Sequence, residues 1–428
     1  MKTLKVLLIA LFVYSSLLSQ TNFQGGIYAD TKWTKDKSPY IITGDIVVFP
    51  GKTLTIEPGV YVKFDGNYFI EIRGSLKAIG SENDTINFMS NKNNPQMSDW
   101  NGILININAE QSVTINYCKF VNATHSINFE SSEWEGDIII KNSIFKNNNY
   151  AMDGWAFNSV NIDSCIFINN MYAIYGGQWK NVNNSRFTNN KYGIINPNIL
   201  QMDKCEISGS DTAVYMYNQF GEIKNSKIES NHFGIICSYK GVALNNNEIL
   251  NNKVGIRFDA TSNDSMKVSK NKICGNDINV ENFDDTNKDL SGNCWCSLDS
   301  SEIESRLIDG YDNIYVGLLN YDIYSEDCET KLFSIQKVNF SLEVNKLDIN
   351  DIINFYPNPF YSNIVIDIDR IKFSKISVSI NNMFGQEVYK RTFSDNLINI
   401  ELNNIKEGVY ICTLKSESFI VTRKIIKR

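Results

Sequence analysis

Ser185–Ile195 reads SRFTNNKYGII, and relatives of the phrase lie on both sides of it: CIFINNMYAIY at Cys165–Tyr175, KIESNHFGIIC at Lys227–Cys237 and EILNNKVGIRF at Glu248–Phe258. Taking the apolar residue before each Asn-rich turn as an anchor gives Phe120, Phe145, Phe167, Phe187, Ile207, Ile228, Ile249 and Ile273, spaced by 25, 22, 20, 20, 21, 21 and 24 residues. Five residues earlier the column is apolar throughout, from Ile115 and Ile140 to Leu244 and Val268. Seven residues later it is apolar again, from Ile127 and Met152 to Ile256 and Val280. Three residues after the anchor stand Asn148, Asn170, Asn190, Asn231, Asn252 and Asn276, with Ala123 and Ser210 as the exceptions. Each repeat thus holds three short apolar segments between polar bends, and no span is long enough or periodic enough for a helix. A unit of this size cannot close a core alone, but stacked copies can. The spacing predicts an all-β chain dominated by a right-handed parallel β-helix with three strands per coil. Asn tolerates left-handed backbone, so the Asn column reads as a ladder at a bend.

The cysteines sort with this scheme. Two residues before the anchor run Cys118, Ser143, Cys165, Ser185, Cys205, Ser226, Asn247 and Asn271. Successive cysteines of that column are two coils, about 9.6 Å, apart, beyond disulfide reach. The usual C-x-x-C and His spacing of a metal site is missing, so these are expected as buried thiols, and Cys237 and Cys412 as unpaired. Cys274, Cys294, Cys296 and Cys328 instead cluster where the repeats stop. One or two disulfides closing the last coil are expected there, with three possible pairings.

The 428 residues exceed one compact domain, and the 43% apolar content supplies a core. Residues 1–19, MKTLKVLLIALFVYSSLLS, have Lys2 and Lys5, an apolar run and then small residues, the pattern of a secretory signal peptide. Residues 351–428 hold eleven Lys and Arg against eight Asp and Glu. Removing that +3 and the leader's +2 from the overall −7 leaves −12 on the body. So acidic a body argues against nucleic acid as a partner.

Two stretches carry family likenesses. SPYIITGDIVVFPGKTLTIEPGVYVKFDG (Ser38–Gly66), DWNGILI (Asp99–Ile105) and GNCWC with the later Asp309, Gly310 and Asp312 resemble secreted right-handed β-helix repeat proteins common in the Bacteroidetes. That superfamily includes carbohydrate-binding modules, polysaccharide lyases and hydrolases. After Ile352, alternating apolar strands separated by Asn/Gly turns suggest a small β-sandwich. YPNPF, MFGQEV, EGVYICTL and the basic last strand resemble the C-terminal sorting domain of type IX secretion substrates, matched at Tyr356, Pro357, Asn358, Pro359, Gly385, Gly408 and Tyr410. That resemblance implies export, a contact with the type IX machinery, and release or attachment at the cell surface. The expected organisation is a signal peptide over 1–19, a capped β-helix over 20–328, a linker over 329–350 and the sorting domain over 351–428. A monomer is expected.

For chemistry the signals are sparse. Polygalacturonases show N-T-D, D-D, G-H-G and R-I-K in order; here Asp284-Asp285 is the one D-D pair, G-H-G is absent, and RIK (Arg370–Lys372) lies in the tail, so that set is incomplete. An enzymatic alternative, a polysaccharide lyase or glycoside hydrolase, rests on Arg257 and Asp259 with Asp153 on a neighbouring strand. A lyase would add Ca²⁺; otherwise no cofactor or metal is expected. The binding reading rests on an outward set of aromatics, Trp155, Tyr175, Trp179, Tyr215 and Tyr217. A second aromatic column, Tyr150, Tyr172, Tyr192 and Phe233, reads as a structural stack.

Overall fold

A computed structural model describes residues 20–322 apart from 108–109, 131–136, 155–159, 218–219, 240–241 and 262–265, and residues 353–428 apart from 369–374, 396 and 417–419. The expected leader, Cys328 and the linker lie outside the described residues.

The repeats form the expected parallel β-helix. One coil runs Val160–Asp163, Ile166–Ile168 and Tyr172–Tyr175; the next runs Gln178–Asn183, Arg186–Thr188 and Tyr192–Ile195. They pair in parallel with like residues in register, Ile162 on Val182, Phe167 on Phe187 and Ile174 on Ile194. Strands of the Ile162 type form an 11-stranded sheet, and the other two faces join into one of 23 strands. We call these two the anchor face, with Phe167, and the tyrosine face, with Tyr172. They are joined near the start because Tyr40–Val48 bends across both, pairing first with Tyr61–Phe64 and then with Phe69–Ile72.

Register turns each apolar column into a stack. Phe88, Phe120, Phe145, Phe167 and Phe187 lie face to face at centroid spacings of 4.7, 5.0, 5.0 and 4.6 Å, all fully buried. Rings at this separation contribute contact energy beyond the area they bury.

Both bends of the anchor strand are ladders. At the first, the Asn148 amide N–H and Nδ2 both donate to Oδ1 of Asn170, at 2.9 and 3.0 Å. Asn170 repeats this onto Asn190, and its Nδ2 also donates to the Phe145 carbonyl at 3.0 Å. The same pattern runs from Asn231 through Asn252 to Asn276. The left-handed residue is not the ladder Asn but the one before it, as at Asn147 (φ 54°), Asn169 (55°), Asn189 (53°) and Gly209 (71°). The chain turns there, and the following Asn is thereby free to point inward with an extended backbone.

The Cys/Ser column builds the other bend. Backbone N–H groups of Cys118, Cys165 and Cys205 each donate to the hydroxyl of the next coil's Ser143, Ser185 or Ser226. The thiols point to carbonyls of the coil below, as from Cys165 to Ile140 at 3.5 Å. All five free cysteines are buried, and burial pushes the thiols up, to about 12 at Cys165 and Cys237. Because only the thiolate reacts, iodoacetamide at neutral pH is expected to label none of the five in the native protein and all five once denaturant is added. Native labelling of Cys118, Cys165 or Cys205, read by mass spectrometry, would contradict the inward column.

At the C-terminal end of the coils Cys274 and Cys296 form a disulfide, and Cys294 is also oxidised. The short Ser300–Glu304 helix is capped by the Asp299 side chain, which accepts from Ser301 N–H. Asp309 is buried and accepts from the N–H groups of Tyr311 and Leu319, so the DG-x-D segment is a structural clasp.

Residues 354–428 form an antiparallel sandwich. One sheet holds Asn354–Tyr356, Asn363–Asp367 and Leu397–Glu401; the other holds Ile376–Asn382, Glu387–Phe393, Gly408–Lys415 and Ile420–Lys427. They share one core built on Ile364, Ile366, Val378, Ile380, Ile400 and Leu414. Residues of the sorting-domain phrases act as braces. Asn358 accepts from Ile426 N–H and donates to the Lys424 carbonyl, at 2.9 and 3.0 Å, tying the YPNPF segment to the last strand. The Tyr410 hydroxyl donates to the Lys406 carbonyl at 2.6 Å. Gly385 takes the turn with φ 83°.

Candidate functional site

Two outward columns of the tyrosine face carry the side chains with chemical potential. Five residues after the anchors, register aligns His125 on Tyr150, Tyr150 on Tyr172 and Tyr172 on Tyr192. The four rings stack at 4.9, 4.7 and 4.8 Å between centroids. Lys191 lies 5.5 Å from the centre of the Tyr192 ring. Eight residues after the anchors a second column runs Asn128, Asp153, Tyr175, Ile195, Tyr215, Ile236, Arg257 and Glu281.

Tyr175 and Tyr215 therefore share a column with Ile195 between them, about 9.6 Å apart by the strand spacing. Both are partly exposed. Tyr175 is edge-on to Tyr150 and Tyr172, at 5.8 and 5.4 Å, so the stack supports it from below. Burial pushes the Tyr150 and Tyr172 hydroxyls above their ordinary range, with neighbouring tyrosines adding to the shift. Tyr217 is 45% exposed, and its ring lies 6.2 Å from that of Tyr215.

The strand of Trp179 does not lie in the sheet that carries Tyr175, Tyr215 and Tyr217. Gly176 and Gly177, at φ 64° and 74°, turn the chain round a corner immediately after Tyr175. Trp179 accordingly belongs to a strand of the 11-stranded sheet, where its backbone pairs with Leu200. Its side chain, like the whole of Trp155, lies outside the described residues. Counting offsets from the anchor cannot see that corner, because one residue of turn redirects every later position.

The expected triad of Arg257, Asp259 and Asp153 does not assemble. Arg257 stands five strand steps from Asp153 in the same column, about 24 Å. Arg257 Nε instead donates to Asp259 Oδ1 at 2.7 Å, and its NH1 lies 3.5 Å from Glu281. Its guanidinium covers the Phe283 ring at 4.5 Å. Burial pushes the Glu281 carboxyl up, opposed by Arg257 and reinforced by Asp259. An arginine held by two carboxylates and a ring is neutralised where it stands.

Asp153 has a different partner, one that offset counting left aside. Its Oδ2 is 2.9 Å from His125 Nδ1. His125 occupies the same offset as Tyr150, Tyr172 and Tyr192, so its place was legible in the columns. Its pairing depends on the column eight residues after the anchors, one coil further on. Among the described residues Asp153 Oδ1 is buried without a hydrogen-bond partner. Gly102 holds the arrangement from the preceding coil. It pairs with His125 at φ 131°, and a Cβ there would lie 1.6 Å from the His125 carbonyl oxygen. That close approach is why the DWNGILI strand needs glycine at this point.

Among the described residues no group of three or more His, Cys, Asp or Glu could hold a metal ion. No helix among them is long and apolar enough to cross a membrane.

Comparison with known proteins identifies residues 354–428 as a secretion system C-terminal sorting domain. The tail implies export, interaction with the type IX secretion system, and secretion or surface attachment. The chain is 51% identical over 61 residues to Protein bark beetle of Drosophila melanogaster, a match over 14% of this chain that spans 2% of that protein. Among solved structures it is similar to the periplasmic alginate epimerase AlgG, with TM-score 0.38 and 13% identity over 65% of this chain and 77% of that one. A mutant of the same epimerase aligns with TM-score 0.35 and 14% identity over 66% and 77% of the two chains.

Proposed function

We propose that this is an exported β-helix that binds an extended glycan along its tyrosine face and performs no chemistry on it. The observation that supports the reading is the pair of partly exposed rings, Tyr175 and Tyr215, in one column with a spacing near two sugar residues. Strands of a solenoid are rigid, so the rings are preorganised, and aromatic faces suit the C–H surfaces of sugars. In this reading residues 1–19 direct export to the periplasm. The sorting domain then passes the β-helix across the outer membrane, where it is released or attached as a monomer.

Replacing Tyr175 and Tyr215 together by alanine is expected to weaken retention on the bound polysaccharide by about tenfold, the loss of roughly 1.4 kcal/mol of ring contact. Unchanged retention in affinity electrophoresis would remove the glycan reading. The enzymatic alternative, a Ca²⁺-dependent lyase or a hydrolase, predicts new chain ends from a polysaccharide panel, with chelator sensitivity marking the lyase. The neutralised state of Arg257 weighs against it.

A further inference from the structure

We propose that His125 and Asp153 form a polar subsite beside the tyrosine platform, taking a sugar through hydrogen-bond donors that it supplies. The ligand class is then a neutral or amino sugar rather than a uronate. This rests on the glycan reading above and deepens it.

A carboxylate only accepts hydrogen bonds, so at 2.9 Å from Asp153 Oδ2 the His125 Nδ1 carries the proton. In the neutral ring Nε2 is then an acceptor, and among the described residues it has no hydrogen-bond partner. The second carboxylate oxygen, Oδ1, is also an acceptor and is buried with none. Of the two, Nε2 belongs to a partly exposed ring and is the acceptor a ligand can reach; with the enclosed carboxylate behind it, the site needs a donor. Vicinal hydroxyls meet that need, and so does an ammonium group, which the Asp153 charge would favour further. A uronate would bring a third acceptor and a like charge.

Placement ties the subsite to the platform. Asp153 is the register neighbour of Tyr175, and His125 stacks on Tyr150 at 4.9 Å. A sugar on the Tyr175 ring would thus have its next unit beside the dyad, one strand step away, about 4.8 Å. The His125 backbone is fixed by its close contact with Gly102, and its ring by the stack and by Asp153. A subsite held on three sides gives a ligand register as well as affinity. Catalysis is not what the pair is arranged for. Removing a proton beside a uronate carboxylate needs a positive charge to neutralise it, and the closest charged partner of His125 is Asp153.

The test uses the mature full-length chain and isothermal titration with manno-, cello-, chitosan and galacturonate oligosaccharides. Wild type is expected to bind a neutral or amino member more tightly than the galacturonate. Asp153→Asn keeps a carbonyl for His125 and removes the negative charge that favours a ligand's donors at the site. It should lower neutral or amino-sugar affinity about tenfold or more, the scale of a hydrogen bond to a charged group, and spare the galacturonate. His125→Gln keeps a donor for Asp153 and removes the Nε2 acceptor; the same loss is expected, and it stands in should Asp153→Asn fail to fold. Preference of the wild type for galacturonate would overturn the proposal. So would unchanged affinity in both variants while Tyr175→Ala weakens binding; the platform would then survive without the subsite. Binding of no oligosaccharide by the wild type would overturn the subsite and the glycan reading together.

Discussion

Phe145→Ala is expected to lower the stability of the coils by about 4 kcal/mol, within the range for removing a buried phenylalanine. The ring is fully buried and lies 5.0 Å from both Phe120 and Phe167. Its loss removes two ring contacts and leaves a void between coils whose backbones are held by ladder bonds on both sides. Those backbones cannot move together to fill it, since the strand spacing is set by hydrogen bonding rather than by side-chain size. In a solenoid each coil touches only its neighbours, so the damage should be local. Hydrogen exchange is expected to speed up in the strands from Cys118 to Tyr175 and to remain slow near Ile249. A denaturation midpoint equal to wild type, with unchanged exchange in that region, would mean that the ring stack is not the source of coil-to-coil cohesion.

Asn170→Ala should be as damaging although it removes far less volume, by about 4 kcal/mol. Its side chain receives the Asn148 N–H and supplies the Phe145 carbonyl with a donor. Both groups are inside, and leaving each without a partner costs roughly 1–3 kcal/mol. Asn148 Nδ2 keeps its bond to the Phe120 carbonyl at 3.2 Å, and Asn190 Oδ1 keeps the Asn170 N–H, so the loss stops at two groups. Asn170→Asp should be worse, because it buries a charge and sets a carboxylate oxygen against the Asn190 Oδ1 and the Phe145 carbonyl. Asn169 makes the control. It is the left-handed residue of the same turn, so Asn169→Gly should be nearly neutral. Urea titrations that rank Asn169→Gly below Asn170→Ala and Asn170→Ala below Asn170→Asp in destabilisation would support the ladder. Equal, small effects from all three would reduce the Asn column to turn propensity.

The proposed binding depends on the outside of the same coils, where the sequence constrains less. An inward position must match its neighbours above and below in size and bonding. An outward position needs only to meet water, so a tyrosine there is compatible with packing, display or binding. Tyr150 and Tyr172 stack and Tyr175 leans on both, although all three are partly exposed and differ little in local sequence. Arg257 read as a reactive group and proves to be shared between Asp259 and Glu281.

By itself the sequence determined the β-helix, its register and the sorting tail. A parallel stack repeats the same environment in every coil, so each structural demand is written many times over, as in the apolar anchor, Asn and Cys/Ser columns. The tail carries four phrases in order, and its strands alternate. Tertiary structure alone decided which outward residues meet. The corner at Gly176–Gly177 sent Trp179 to another sheet, and a 2.9 Å contact between different columns joined His125 to Asp153. The physical reason is that repetition specifies neighbours along a column, whereas meetings across columns depend on how far each strand runs before its turn, and that length is set by the packing of the whole coil.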